Sequence, residues 1–423
     1  MDSEALKAIQ ANPESVVRFV ARQRFITFAS YMMPKMEITN FHKVYYEVLD
    51  RFAHKQIKKL IISVPPQHGK ALSIDTPVLT TKGWKRHCDL QVGDEVFGDD
   101  GQPKKVLWNS GVYDWPTMSV DFADGFSMIA AREHEWKVYC DHDDHKGRGE
   151  EVLETQNIFK RRQRRAPFIK GDCGFDMPER ELPVEPYLLG YWLGDGYSQN
   201  GYICSGAEDA WNLAQFGNVT LQKEGHSTPY YKVNVVGLAH KLLLMGLQNN
   251  KHIPVEYLLS SRAQRLALLQ GLMDTDGCVN VGRGMCEFCQ KKNQLAEDVY
   301  VLLRSLGFKP VMHEYAMMLN GKNVGRKVRI CFVPNKGDKI FRLPRKQERL
   351  DNKTTADRTD KTRLFITNIS EAGNTLVNCI QVEGGMYLAG YELVPTHNSQ
   401  GSSRFLPAFL LGLNPDLKIV IGS

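Results

Sequence analysis

The residues of this 423-residue chain best placed to do chemistry lie at two distant junctions and in one repeated acidic motif. Leu60-Ile61-Ile62-Ser63-Val64 reads as a buried strand, and Pro65-Pro66-Gln67-His68-Gly69-Lys70 reads as a phosphate-binding loop after it. Such a loop needs Ser or Thr directly after its lysine to hold Mg²⁺, yet Ala71 follows here. The missing hydroxyl stands at Ser399, just after His397-Asn398. Joining Lys70 to Ser399 gives Pro-Pro-Gln-His-Gly-Lys-Ser-Gln, then an apolar helix at 405–411 and a strand at 417–421. Strand, loop, helix, strand is the order a P-loop unit requires. In the joined form Gly69, Lys70 and Ser399 would bind ATP and Mg²⁺. The 328 residues 71–398 therefore read as an insert removed as protein.

The acidic motif occurs twice. Leu188-Leu189-Gly190-Tyr191-Trp192-Leu193-Gly194-Asp195-Gly196 and Leu269-Gln270-Gly271-Leu272-Met273-Asp274-Thr275-Asp276-Gly277 share a Leu/Gly helix face that ends in Asp-Gly. A small residue on each face lets two helices pack closely, which would bring Asp195 and Asp276 together. Paired carboxylates suit Mg²⁺ and metal-dependent phosphodiester hydrolysis. One Asp-Gly is well explained as a helix end with a turn; two matching nine-residue copies are not.

The elements that must position these groups change in texture along the chain. Residues 1–70 read as helical at 5–10, 14–28 and 41–58. Short β-rich runs take over from Ala71, at 77–80, 94–97 and 117–121. Helical patterns mixed with strands run from about 183 to 332. The polar stretch 335–360 reads as a linker, and β texture resumes over 365–394. The expected fold is multidomain. An all-β unit (71–180 and 336–398, linker included) is interrupted by an α/β unit (181–335), and both are flanked by α/β P-loop fragments (1–70 and 399–423).

Composition bounds the rest. Apolar content of 42% and charged content of 24% are ordinary for soluble globular protein. No run of about 18 apolar residues or signal pattern occurs, so a cytoplasmic location with no membrane partner is expected. Nine dispersed cysteines argue for free thiols in a reducing compartment. Cys286-Glu287-Phe288-Cys289 is a lone CxxC, read as ordinary thiols in preference to zinc ligands. A net charge of +6 is mild; the basic runs 160–165 and 342–346 are either solvated linkers or arms that contact phosphate.

The repeat resembles the LAGLIDADG homing endonucleases in their single-chain, two-motif form. The resemblance implies a pseudo-twofold αββ repeat whose sheets form a saddle on double-stranded DNA, with Asp195 and Asp276 as Mg²⁺ carboxylates. Lys251-His252-Ile253-Pro254 matches the family's Lys-x-Ile-Pro segment, which makes Lys251 an active-site helper. The 302–308 segment Leu-Leu-Arg-Ser-Leu-Gly-Phe matches the helix after the second motif. The first copy departs by carrying Leu193-Gly194 where Asp-Ala is usual.

The β-rich parts resemble an intein of the Hedgehog/intein fold. Ala71-Leu72-Ser73-Ile74-Asp75-Thr76-Pro77-Val78 matches the intein N-terminal segment except that Ala71 replaces the usual Cys or Ser nucleophile. The class 3 inteins lack that nucleophile and carry a Trp-Cys-Thr triplet, which Trp136, Cys379 and Thr396 match. Cys379, as thiolate, would attack the Lys70 carbonyl with His134 as general acid. Ser399 would then take the acyl group, and Asn398 would cyclise with help from His397. Splicing needs no cofactor. Two departures stand out: Ala131 occupies the hydroxyl position of Thr-x-x-His, and Gly384-Gly385-Met386-Tyr387 lacks the usual second histidine. His134 and His397 are thus the expected proton handlers.

The flanks resemble the large terminase subunit of tailed phages. That implies a DNA-packaging ATPase in an infected bacterial cell, partnered by DNA and other packaging proteins and truncated here after the insert. Three further readings remain: a splicing-inactive precursor keeping only endonuclease or DNA-binding activity, a plain endonuclease with β-rich flanks, and an ATPase with a large insertion.

Overall fold

A computed structural model describes residues 24–32, 40–54, 56, 70–139, 150–158, 166–171, 174–206, 209–216, 219–224, 230–280, 282, 284–319, 322–352 and 363–397. The expected strands at 60–64 and 417–421, the helices at 5–10 and 405–411, and Gly69, Asn398 and Ser399 lie outside these residues, as does the basic run 160–165. The chain divides into two compact units, Met1–Gln67 with Ser399–Ser423 and His68–Asn398. In the first, helices Phe25–Met32 and Asn40–Ala53 meet through Phe25 and Tyr46, whose rings lie edge to face at 5.2 Å.

The second unit holds two arrangements of strands. A seven-stranded antiparallel sheet runs in the order 72–73, 127–131, 113–122, 363–378, 168–170, 135–139, 150–154. The short strand Leu72–Ser73 also pairs with the end of the long strand Arg363–Asn378, Leu72 opposite Asn378, so the sheet folds back on itself. The long strand bends at register shifts between Ile366 and Asn368 and between Glu371 and Gly373, as extra residues in one strand of a ladder require. A five-stranded sheet (380–382, 103–109, 95–97, 77–80, 83–86) and the hairpin 386–389/394–397 complete this part. Its core gathers Leu72, Val96, Val120, Trp136, Ile366, Ile380 and Tyr387.

The interrupting part is built on helices Pro186–Asp195 and Arg262–Asp276, which pack at their glycines. A Cβ on Gly190 would lie 2.1 Å from the Leu268 carbonyl oxygen, and one on Gly271 would lie 2.2 Å from that of Tyr187. Only glycine allows backbones this close. Each helix feeds an antiparallel sheet: 202–206, 230–235 and 219–224 after the first, and 277–280, 285–291, 322–332 and 311–319 after the second. Both helices start on side-chain caps, Glu185 to the Leu188 amide and a Ser261/Gln264 capping box.

One expected linker is structured. Within 335–360, residues Pro344–Asp351 form a helix with Lys346, Gln347 and Leu350 buried. Few apolar residues mark it, so the sequence reads as solvated. Its burial rests on polar caps instead: Gln347 Oε1 accepts from the amides of Ile340 and Phe341 at 3.1 and 3.0 Å.

Candidate functional site

Two clusters of chemical groups sit in the second unit. The first surrounds the Lys70–Ala71 bond. Ala71 is fully buried and packs with Ala131, Val377 and Cys379 in one small cluster walled by Tyr113 and Trp115. Pairing of Leu72 with Asn378 puts Cys379 there, because Cys379 directly follows the paired residue. Main-chain bonds fix it further: the Cys379 amide donates to Ser110 Oγ at 2.9 Å, and its carbonyl accepts from the Ser110 amide at 2.9 Å.

His134 is buried among these groups. Its Nε2 lies 2.7 Å from Thr396 Oγ1, and its Nδ1 is buried. Burial pushes its pKa down to about 3, against a hydrogen bond to the Lys70 main chain that favours its charged form. Trp136 stands edge-on to the ring at 4.6 Å. The Trp136 indole donates to Thr155 Oγ1 at 2.9 Å, and Thr155 in turn donates to the His134 carbonyl at 3.1 Å. Trp136 therefore holds the histidine in place from two sides. His397 ends the strand Val394–His397, its pKa lowered by burial to about 4, with Nδ1 3.4 Å from Glu135. Glu135 also takes an ion pair from Lys70 Nζ at 2.6 Å, so both junctions meet at one carboxylate.

Two expectations change here. The sequence predicts Cys379 as a thiolate; burial pushes its pKa up to about 12, with Lys70 opposing the rise, so it rests as a thiol. The sequence also predicts His134 and His397 as the only proton handlers. His87, fully buried, is a third imidazole in the same network, hydrogen bonded to Asn378 and Tyr387 at 2.7 Å each. Sequence reasoning missed His87, Asn378, Tyr387 and Glu135. His87 lies 291 residues from Asn378 and 300 from Tyr387, and no local pattern marks such a pairing.

The second cluster is at the paired helix ends. Asp195 and Asp276 are the last residues of their helices. Asp195 is open to solvent, yet the surrounding protein and the Asp276 charge raise its pKa to about 6. Asp276 is raised by burial. The glycine after each Asp has an ordinary negative φ, −78° and −91°, so it is not a left-handed cap. It is needed because a Cβ would strike the preceding turn, 2.2 Å from Trp192 Cδ1 in one copy and 2.6 Å from Met273 Cε in the other.

Lys251 Nζ donates to the carbonyls of Leu193, Gly194 and Gly196 at 3.0, 3.3 and 2.7 Å. Burial lowers its pKa to about 8. Lys346 does the same for the other helix, donating to Met273, Asp274, Thr275 and Gly277 at 3.0, 2.7, 3.2 and 2.7 Å. A cation on the last carbonyls suits the helix dipole. Lys346 was missed as part of a basic stretch; the repeat itself was the available signal, since a second copy calls for a second lysine.

The odd spelling of the first copy also has a cause. Asp274 is buried and structural, accepting from Tyr187 Oη at 2.7 Å and from the amides of Arg342 and Leu343 at 3.1 and 3.2 Å. Gly194 faces Thr275, whose Oγ1 would lie 1.9 Å from a Cβ there. Among the described residues no group of three or more His, Cys, Asp or Glu side chains converges; the residues that could hold a divalent cation are the pair Asp195 and Asp276, where burial and the Asp276 charge raise the Asp195 carboxyl. The CxxC cysteines do not converge, Cys286 being buried and Cys289 exposed on the same strand.

A family model described as a LAGLIDADG-like domain matches residues 263–331. The chain is 31% identical over 370 residues to the replicative DNA helicase DnaB of Mycobacterium intracellulare, covering 82% of this chain and 62% of that protein. It is 36% identical over 78 residues to DnaB of Mycobacterium leprae (strain TN), covering 18% of this chain and 13% of that one. The chain thus spans less than two thirds of either relative. A share of 82% exceeds what residues 1–70 and 399–423 could supply, so the first match runs mostly through 71–398. Both relatives are named as helicases, and neither name supports the terminase expected from the flank motif. Among solved structures, the Msm DnaB1 intein splicing domain bound with zinc is 14% identical with a TM-score of 0.26, covering 78% of this chain and all of that one. I-DmoI in complex with DNA and Ca is 16% identical with a TM-score of 0.29, covering 40% and 97%.

Proposed function

We propose that residues 71–398 are a self-splicing intein of the class 3 type with an embedded DNA endonuclease, and that excision joins Lys70 to Ser399. The observation that carries this reading is the packing of Cys379 against Ala71, beside His134, with both junction segments drawn to Glu135. Ala71 has no nucleophile, and Cys379 is the thiol in the cluster that holds it.

In the first step Cys379 Sγ bonds to the Lys70 carbonyl carbon, and the bond to the Ala71 nitrogen breaks. The thiol proton ends on that nitrogen. A thioester on Cys379 and a free Ala71 amine result. Ser399 then takes the acyl group, Asn398 cyclises and releases the insert, and an O-to-N shift makes the Lys70–Ser399 amide. Trp136 and Thr396 hold His134 where the first step needs it.

The embedded part is proposed to cut double-stranded DNA. A divalent cation bound by Asp195 and Asp276 would polarise the phosphodiester and activate water. Lys251 and Lys346 hold the two helix ends in register. The flanks are read as host P-loop ATPase fragments whose spelling, Pro-Pro-Gln-His-Gly-Lys-Ser, supports a terminase.

Expression of the whole chain tests the splicing reading: mass spectrometry should find a 328-residue product and a ligated 95-residue one. Cys379→Ala should abolish both. Continued excision in that variant would remove Cys379 from its role.

A further inference from the structure

The two sides of the Lys70–Ala71 bond are held in different ways. After the bond the chain is locked by its backbone: the Ala131 amide donates to the Ala71 carbonyl at 2.9 Å, and Leu72 pairs with Ala130 and Asn378. Ahead of the bond a side chain is the anchor. Lys70 Nζ lies 2.6 Å from Glu135 Oε2, with 11% of the lysine side chain and 31% of the glutamate exposed. Glu135 opens the strand Glu135–Tyr139, between His134 and Trp136 in sequence. Across the ladder it stands opposite Glu154, and like charges in that position repel. Glu154 is already satisfied, accepting from Gln156 Nε2 and Asn157 Nδ2 at 2.8 and 2.9 Å. Glu135 therefore gains from a cation. His397 Nδ1 is 3.4 Å away, but burial lowers its pKa to about 4 and keeps it neutral. The positive charge that Glu135 receives comes from Lys70. That charge also reaches the attacking group: burial pushes the Cys379 thiol up to about 12, and Lys70 opposes the rise.

We propose that Glu135 is the residue by which the insert reads the amino acid ahead of its first scissile bond, selecting a lysine and holding its ammonium where it favours negative charge on Cys379. This rests on the splicing reading and deepens it by naming a feature of the substrate. Lys70 lies outside 71–398, so in that scheme it belongs to the segment being transferred and leaves with residues 1–70. Two effects follow from the pair. With the backbone fixed on one side and the lysine side chain fixed on the other, the Lys70 carbonyl is presented in one orientation. As the sulfur gives up its proton and bonds to that carbonyl, a fixed positive charge nearby stabilises the anionic character of the step. A neutral residue at position 70 would leave Glu135 facing Glu154 without a counter-charge, and an acid would add a third negative group. The insert is thus matched to a chain that ends in lysine at the junction, as Gly69-Lys70 does.

The test is thiol-dependent release of residues 1–70 from the full chain carrying Asn398→Ala, which confines the assay to the steps before cyclisation. Lys70→Arg keeps the charge and should stay within about threefold of this parent, the difference reflecting the shape of the two cations. Lys70→Glu should slow release by about 30-fold, the scale of like charges brought together in a partly buried contact. The ratio of the lysine rate to the glutamate rate measures the selection. Glu135→Gln should shrink that ratio by at least about fivefold, and Glu135→Lys should shrink it further, because such a cycle isolates the pair from the general effect of either change. A merely structural lysine would give a ratio indifferent to position 135. Equal rates for the parent and Lys70→Glu overturn the proposal, and so does a ratio unmoved by Glu135→Gln. Should Glu135→Lys not fold, the Glu135→Gln cycle decides alone, since that change removes a charge opposite Glu154. Failure of the splicing reading shows separately, as absence of excision from the unmutated chain.

Discussion

At the scale of single residues, the two acidic positions carry opposite demands from stability and chemistry. A carboxyl whose folded pKa is raised contributes stability below its unfolded pKa and loses it as pH rises through the folded value. For Asp195 that window runs from the ordinary carboxylate range up to about 6. Without metal, Asp195→Asn should therefore raise the melting temperature at pH 8 by about 2–4 °C, the scale of a 1 kcal/mol gain for a unit of this size. The gain should vanish below pH 4, where the parent carboxyl is neutral in both states. DNA cleavage should be lost at every pH. Calorimetry in chelator with a parallel cleavage assay checks both, and a variant less stable than the parent at pH 8 would refute the like-charge argument. Asp195 and Asp276 were legible in sequence because the motif states them twice. His87 was not, since its meaning lies in partners almost 300 residues away. Cys379 was legible as a candidate nucleophile but not in its protonation state, which burial decides and spelling does not.

At the scale of elements, the two core helices depend on glycine for different reasons. A Cβ at Gly190 would meet backbone, the Leu268 carbonyl oxygen at 2.1 Å, whereas one at Gly194 would meet the Thr275 side chain. Backbone cannot yield without parting the helices. Gly190→Ala should cost about 3 kcal/mol, in the upper range for overpacking, and lower the melting temperature of the helical part by about 6–12 °C. Thr275→Ala should relieve Gly194→Ala in part and leave Gly190→Ala unrelieved, giving a coupling energy for the first pair alone. Equal rescue of both would mean the helices slide apart freely. The close helix pair could be read from Leu/Gly spacing. The helix Pro344–Asp351 could not, because polar caps and a lysine reaching four carbonyls replace the apolar stripe that sequence reading depends on.

At the scale of the whole second unit, the nested order of β-rich and α/β parts was visible as a change of texture, and two separate apolar cores correspond to it. The bridge between them was not visible. Leu79, Phe97 and Leu388 of the β-rich part share a third cluster with Leu258, Leu259 and Val301 of the helical part, and Arg304 Nε donates to the Glu392 carbonyl at 2.6 Å. Glu392 lies in the turn that leads into the strand carrying Thr396 and His397. The two chemistries nonetheless draw on different groups. The proposed excision would use a thiol, imidazoles and amides, none of which requires a divalent cation, whereas the proposed cleavage would need one for the carboxylate pair to approach a phosphodiester. A chelator should therefore stop DNA cleavage completely while changing the excision rate by less than about twofold, within the spread for sites that share no partner. Cys379→Ala should do the reverse, leaving cleavage intact. If chelation slowed excision as well, the bridge through Arg304 would have to transmit the state of the metal site to the Thr396 strand, and Arg304→Ala should then restore independence.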